Sequence, residues 1–237
     1  MSSNSAEKVA LVTGANRGMG LEAARQLAAR GYHVVAAVRD EASGRQAVRE
    51  IQAAGGRASV LSMDVSSSDS IARAVEQLHA FADRLDVLIN NAGIYPDEGL
   101  SILTLPRVQL ARTLATNTIG PLEVTQACLP LLRRARQARV INISSGYGQL
   151  SGLSADVPSY CLSKLALNGL TIMLADALRK DQIAVNAVCP GWVRTDMGGA
   201  GATLSVEEGV DTAIWLATEA PQEATGHLFR NRQEVDW

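Results

Sequence analysis

The chain has 237 residues, 47% of them apolar, with 22 basic and 24 acidic side chains. That length and composition suit one well-packed α/β domain, and the near-balance of charge excludes a nucleic-acid-binding face or a polybasic membrane-binding run. The expected partner is a small molecule, with neither nucleic acid nor membrane. Residues 1–7, MSSNSAE, lack the apolar core of a secretion signal, so the expectation is a cytoplasmic protein, a single domain over 1–237 with a flexible start over 1–7. Cys128, Cys161 and Cys189 are an odd count without C-x-x-C spacing, and His33, His79 and His227 are scattered, which points to buried small hydrophobes and no metal site.

An apolar strand over 9–12 runs into a helical pattern from Leu21 through Thr13-Gly14-Ala15-Asn16-Arg17-Gly18-Met19-Gly20. Such a turn brings bare backbone and the positive end of a helix to an anion such as a pyrophosphate. Its spacing is G-x-x-x-G-x-G and not the common G-x-G-x-x-G, so a tight turn without a ligand is the competing reading. The next apolar run, 33–38, completes a strand-helix-strand unit and favours the ligand. A 3.6-residue apolar stripe predicts a helix over 43–54 ended by Gly55-Gly56, then a strand over 58–63 and a helix starting at 66–69.

The run 86–89 predicts a fourth strand, with Asn90-Asn91-Ala92-Gly93 at its C-terminal end. In a doubly wound sheet that edge binds ligands, although an Asn/Gly turn alone looks the same. Residues 104–134 read as two successive helices or one bent one, given Pro121 and Pro130. A fifth strand over 139–143 ends in Ser144-Ser145, and 146–158 reads as a loop over the ligand-binding edge. A long helix over 159–180 precedes a sixth strand over 183–188, closed by Pro190-Gly191. Residues 192–203 read as a flexible lid, 205–208 as a capping box opening a last helix, and 225–229 as a seventh strand. The alternation predicts parallel strands with helices on both faces.

Tyr160 and Lys164 stand four apart on one helix, placing their Cβ atoms about 5–6 Å apart on one face. A phenol titrates near about 10, and a neighbouring ammonium is expected to lower it, making Tyr160 a proton donor at neutral pH. Ser145 is placed to hold a substrate carbonyl oxygen. Taken singly, each has a plainer reading, turn chemistry for the serine and an amphipathic surface for the Tyr/Lys pair.

Together these residues resemble one family, the short-chain dehydrogenases/reductases, across 8–230. The likeness rests on Thr13-Gly-x-x-x-Gly-x-Gly20, Asp64, Asn90-Asn-Ala-Gly93, Asn117, Ser145, Tyr160-x-x-x-Lys164 and Pro190-Gly191 with Thr195. Within the family it is most similar to the NADPH-dependent carbonyl reductases, through the tract 189–197 and the Trp237 ending. The resemblance implies a Rossmann-type doubly wound parallel sheet of six to seven strands in the order 3-2-1-4-5-6-7. It implies a catalytic tetrad of Asn117, Ser145, Tyr160 and Lys164, with Asn117 and Lys164 in a water-linked proton relay. At the cofactor it implies Gly14, Asn16, Arg17, Gly18, Met19 and Gly20 at the phosphates. Asp64 and Val65 would stand at the adenine, Asn91, Ala92 and Gly93 at the ribose, and Pro190, Gly191, Val193 and Thr195 at the nicotinamide. The Ser145-to-Tyr160 spacing differs from many members, so the substrate loop is this chain's own; Tyr95, Tyr147, Gln149, Leu150 and Trp192 are the expected substrate contacts.

NADPH is expected over NADH. Where NAD-using members carry an acidic residue at the end of the second strand, this chain has Val38, followed by Arg39; with Arg17 it can converge on a 2′-phosphate. A surface ion pair of Arg39 with Asp40 or Glu41 is the plainer alternative. The expected activity is reduction of an aldehyde, ketone or quinone-type carbonyl with Tyr160 as proton donor. Oxidation of an alcohol and a non-catalytic NADP-binding regulatory protein are the alternatives. The helix over 159–180 is apolar on more than one face, which with the family's habit implies a homodimer or homotetramer.

Overall fold

The structure, a computed structural model, describes residues 7–237; the start expected to be flexible lies outside them except for Glu7. Eight strands form one sheet: β1 Val9–Thr13, β2 His33–Val38, β3 Arg57–Ser62, β4 Val87–Asn90, β5 Arg139–Ile143, β6 Ala184–Val188, β7 Leu228–Arg230 and β8 Gln233–Val235. Their order is β3-β2-β1-β4-β5-β6-β7-β8, all parallel except the β7/β8 hairpin. Through β7 this is the expected order. The added β8 is a correction: its hairpin turns at Asn231 and Arg232, both at positive φ (51° and 60°), a pair that lacks the Asn-Gly signature of such turns. Arg232 is held there by its guanidinium on Asp211 and by its N–H donating to Thr212.

Alternation along the strands divides the core into two layers. Ala10, Val12, Val34 and Ala36 pack against α1 (Gly18–Ala29), α2 (Glu41–Ala53) and α7 (Val206–Thr218). Val9, Leu11, Val35 and Ala37 face α3 (Ser68–Phe81), α5 (Gly120–Leu132) and α6 (Pro158–Leu178). Two expected helix starts are built as read: Ser67 caps α3, and Ser205 with Glu208 forms the capping box of α7; α2 starts two residues before the expected 43, capped by Asp40.

Within 104–134 the helical run is continuous from Arg107 to Leu132: α4 (Arg107–Leu114), a π-helical turn Ala115–Ile119, then α5. Pro121 cannot donate the helical bond to the Asn117 carbonyl, and the backbone widens there. Helix α6 is apolar and long enough to cross a membrane by length and composition. Here it lies against the sheet, with Cys161, Lys164, Leu167, Asn168, Thr171, Ala175 and Leu178 buried.

Candidate active site

Every parallel strand ends at one edge, and the loops leaving it enclose a cleft of about 1170 Å³. At one end the β1–α1 turn passes beneath it. Gly14 and Gly18 hold positive φ (66° and 52°), and a Cβ on Gly20 would lie 2.2 Å from the Gly14 carbonyl, so only glycine lets the turn close. Asn91 donates its amide to the carbonyls of Thr13 and Gly14, and the Thr13 hydroxyl accepts from the N–H groups of Asn91 and Ala92. The two asparagines after β4 therefore do different things: Asn90 turns inward, donating to Asn142 and Thr125. Helix α1 receives no side-chain cap, and no acidic residue stands in its first turn. Its leading N–H groups face the cleft with the donor character that a pyrophosphate needs.

Asn16, Met19, Arg39, Asp64, Val65, Gly93, Pro190, Gly191, Val193 and Thr195 also line this cleft. Burial opposes ionisation of Asp64, but hydrogen bonds from Ser66 and the nearby Arg39 guanidinium outweigh it and hold the carboxyl below its ordinary value. The expected alternative for Arg39 is absent: Asp40 is spent on the α2 cap and Glu41 on Arg45. Arg17, by contrast, does not stand free beside Arg39; it pairs with Asp196 across the cleft mouth.

At the other end, the Ser145 hydroxyl stands near the Tyr160 phenol, and both line the cleft. Ser145 is held at the end of β5 by accepting the Tyr147 N–H (3.1 Å), and Tyr160 by donating its N–H to the buried Asp97 carboxylate (2.7 Å). One turn on, the Lys164 Nζ donates to the Ile143 carbonyl at 2.7 Å and sits 5.5 Å from the centroid of the Tyr160 ring. Burial pushes Lys164 down to about 8. It also pushes the Tyr160 phenol up, against the lowering expected from sequence; the nearby Ser145 hydroxyl only partly offsets this. The cause is the dryness of the pocket, which opposes the phenolate more than the neighbouring ammonium favours it.

Asn117 lies at the centre of the π turn, fully buried. Its amide is committed, accepting from the Ile94 N–H and donating to the Ile94 carbonyl and the Ser163 hydroxyl. Pro121 withholds the usual helical donor from its backbone carbonyl. Among the expected substrate contacts, Tyr95, Tyr147 and Trp192 line the cleft, and Tyr95 meets the Tyr160 ring edge-on at 4.9 Å. Gln149 and Leu150 do not. Gln149 donates to the Asp236 carbonyl and pins the C-terminal strand, while Leu150 is 71% exposed outside the cleft. Two residues that sequence reading passed over stand here instead, Asp97 beneath Tyr160 and Arg230 in the cleft wall. Neither belongs to a motif; only the sheet order brings Arg230 in.

Residues 8–203 match the family model described as short chain dehydrogenase. Carbonyl reductase (NADPH) 1 of Bos taurus is 33% identical over 99% of this chain and 100% of its own length. The (+)-neomenthol dehydrogenase of Arabidopsis thaliana is 31% identical over 96% and 97%. Its alignment spans 289 positions against 237 residues here, so it holds at least 52 residues with no counterpart in this chain. The crystal structure of NADPH-bound carbonyl reductase from chicken fatty liver superposes with a TM-score of 0.89 at 31% identity, covering 98% of this chain and 99% of that one. The chain belongs to the short-chain dehydrogenase family of oxidoreductases.

Proposed function

We propose that the protein reduces the carbonyl group of a small aldehyde, ketone or quinone-type substrate with NADPH. The observation that carries this reading is the Ser145–Tyr160 hydroxyl pair above the Lys164 ammonium, at one end of a cleft whose other end is a bare helix N-terminus. The β1–α1 turn and the N-terminus of α1 hold the pyrophosphate, Arg39 the 2′-phosphate, and the 190–195 loop the nicotinamide. NADPH supplies the hydride when bound. Ser145 donates a hydrogen bond to the substrate oxygen and fixes it against Tyr160, which gives it the proton as negative charge develops there. Burial keeps the phenol protonated until that moment, and the nearby ammonium then favours the phenolate that forms. Asn117 offers its backbone carbonyl to the relay that returns the proton.

The test is a screen of NADPH consumption over aldehydes, ketones, quinones and steroids, in the parent and in Tyr160→Phe. The variant binds NADPH as the parent does and loses turnover; undiminished turnover overturns the assignment, and consumption by neither favours a cofactor-binding protein without catalysis. The reverse reaction, alcohol oxidation, runs through the same groups, and the name of the Arabidopsis relative speaks for measuring it with NADP+ as well.

The same reading includes a homodimer or homotetramer. Leu162, Ala166, Gly169 and Met173 form an exposed face of α6, turned away from the sheet that covers its other side.

A further inference from the structure

Five cationic side chains line the cleft: Arg17, Arg39, Lys164, Arg194 and Arg230. Three are committed within the protein, Arg17 to Asp196, Lys164 to the Ile143 carbonyl, and Arg194 to the carbonyls of Ala202 and Thr203. Arg39 stands at the end assigned to the 2′-phosphate. Arg230 is left: among the described residues its guanidinium has neither an ion pair nor a hydrogen bond.

Its position follows from the sheet. β7 runs parallel to β6 with Leu228 beside Ala187 and Phe229 beside Val188, and the Cys189 N–H bonds the Phe229 carbonyl, so Arg230 comes next beside Cys189. Neighbouring strands lie about 4.8 Å apart. Phe229 packs into the layer under α1 and α7, whereas Leu228 clusters with Ala187 and Cys189 on the opposite face. Alternation puts Arg230 on that second face, which is also the face of Val185 under α6, the helix of Tyr160 and Lys164. Neighbouring backbone fixes its surroundings: a Cβ built on Gly191 would lie 4.0 Å from the Arg230 guanidinium, and one on Gly146, next to Ser145, 3.8 Å from the Cys189 Sγ. The acidic residues of the cleft are Asp40, Asp64 and Asp196, and all are engaged at the other end, with the α2 cap, Ser66 and Arg17. Beside Arg230 stand Cys189 and Gly191, both small and uncharged.

We propose that Arg230 forms an anion-recognition subsite at the substrate end of the cleft, and that the carbonyl substrate carries a carboxylate. This rests on the reductase reading above and narrows its substrate class. A guanidinium with free N–H groups meets a carboxylate with two parallel bonds.

The experiment compares ortho, meta and para carboxybenzaldehydes with their methyl esters in the parent, Arg230→Gln and Arg230→Lys. For at least one isomer the parent prefers acid to ester in kcat/KM. Arg230→Gln lowers that preference by about 10- to 100-fold, chiefly through KM, and Arg230→Lys keeps part of it. Calorimetric titration of para-carboxybenzyl alcohol into the NADP+-loaded protein reads the subsite without turnover, and its affinity falls in Arg230→Gln by a comparable factor. A preference that Arg230→Gln leaves in place overturns the subsite, as does a parent without preference whose alcohol binding is equally unmoved. Arg230-dependent binding without reduction of acid or ester keeps the subsite and sinks the reductase reading instead.

Discussion

Burying the Lys164 ammonium costs folding free energy at neutral pH, which gives that residue a signature independent of turnover. In the folded chain the amine titrates at about 8, against 10.5 when exposed. Between those values the unfolded chain holds a proton that the folded chain has released, so stability rises with pH through that window and the full penalty is present below it. Relative to Lys164→Met, which has no such group, the parent gains up to about 3 kcal/mol from pH 7.5 to 10. Denaturant unfolding of both at each pH checks this; a constant difference rejects the buried titration. Reductive kcat/KM falls over the same window as the ammonium that favours the phenolate is lost. Arg39→Ala weakens NADPH binding by about 10- to 150-fold and leaves NADH nearly untouched, since only the 2′-phosphate distinguishes them. Paired kcat/KM values decide it, and an equal fall for both cofactors rejects the assignment. At this scale the sequence revealed residues whose neighbours lie within a helical turn, as Tyr160 and Lys164 do. Gln149 looked like a substrate contact by position alone; its partner, the Asp236 carbonyl, is 87 residues away and no local pattern announces it.

Elements were legible where one physical rule governed them. The strand runs at β1, β2, β5 and β6 are buried on both faces, hence mostly apolar, with Asn142 and Asn186 the buried exceptions in β5 and β6, and the capping residues of α3 and α7 mark their helices. The π turn at 115–119 was hidden because its cause is subtractive: Pro121 withholds one donor, and the sequence shows only a helix with a proline near its middle. β8 was hidden because Asn231-Arg232 reaches its turn geometry through tertiary bonds to Asp211 and Thr212. The β1–α1 turn is the opposite case, local and strict. A methyl group on Gly20 meets the Gly14 carbonyl at 2.2 Å and the Asn91 amide at 2.5 Å, both fixed by the sheet. Gly20→Ala therefore opens the turn, destabilising the fold by about 1–3 kcal/mol and weakening NADPH binding more than tenfold. Chemical denaturation and fluorescence titration read the two effects, and a variant that binds NADPH like the parent contradicts the turn's role.

At the scale of the whole molecule, the strand-helix alternation predicts parallel strands, the family resemblance implies their order, and the parallel run brings the ends of β1, β4, β5, β6 and β7 to a common edge. What the order leaves undecided is which helix faces stay uncovered. On α6 the sheet takes Lys164, Leu167, Asn168, Thr171 and Ala175, while Leu162 and Met173 remain 37% and 70% exposed on the far side. Between them Ala166 and Gly169 keep that face low, and a Cβ on Gly169 would meet nothing within 4 Å, so a second helix can approach closely. Exposed apolar side chains are ordinary singly, but four positions along one helix ridge form a continuous strip. Burying Met173 and its symmetry mate contributes about 1.5–3 kcal/mol each, and a charge there costs at least as much. Light scattering at micromolar concentration should give a dimer or tetramer for the parent and a smaller species for Met173→Glu, with NADPH affinity retained because the substitution lies opposite the cleft. A monomeric parent ends the proposal, and a Met173→Glu protein of unchanged mass moves the interface to another face.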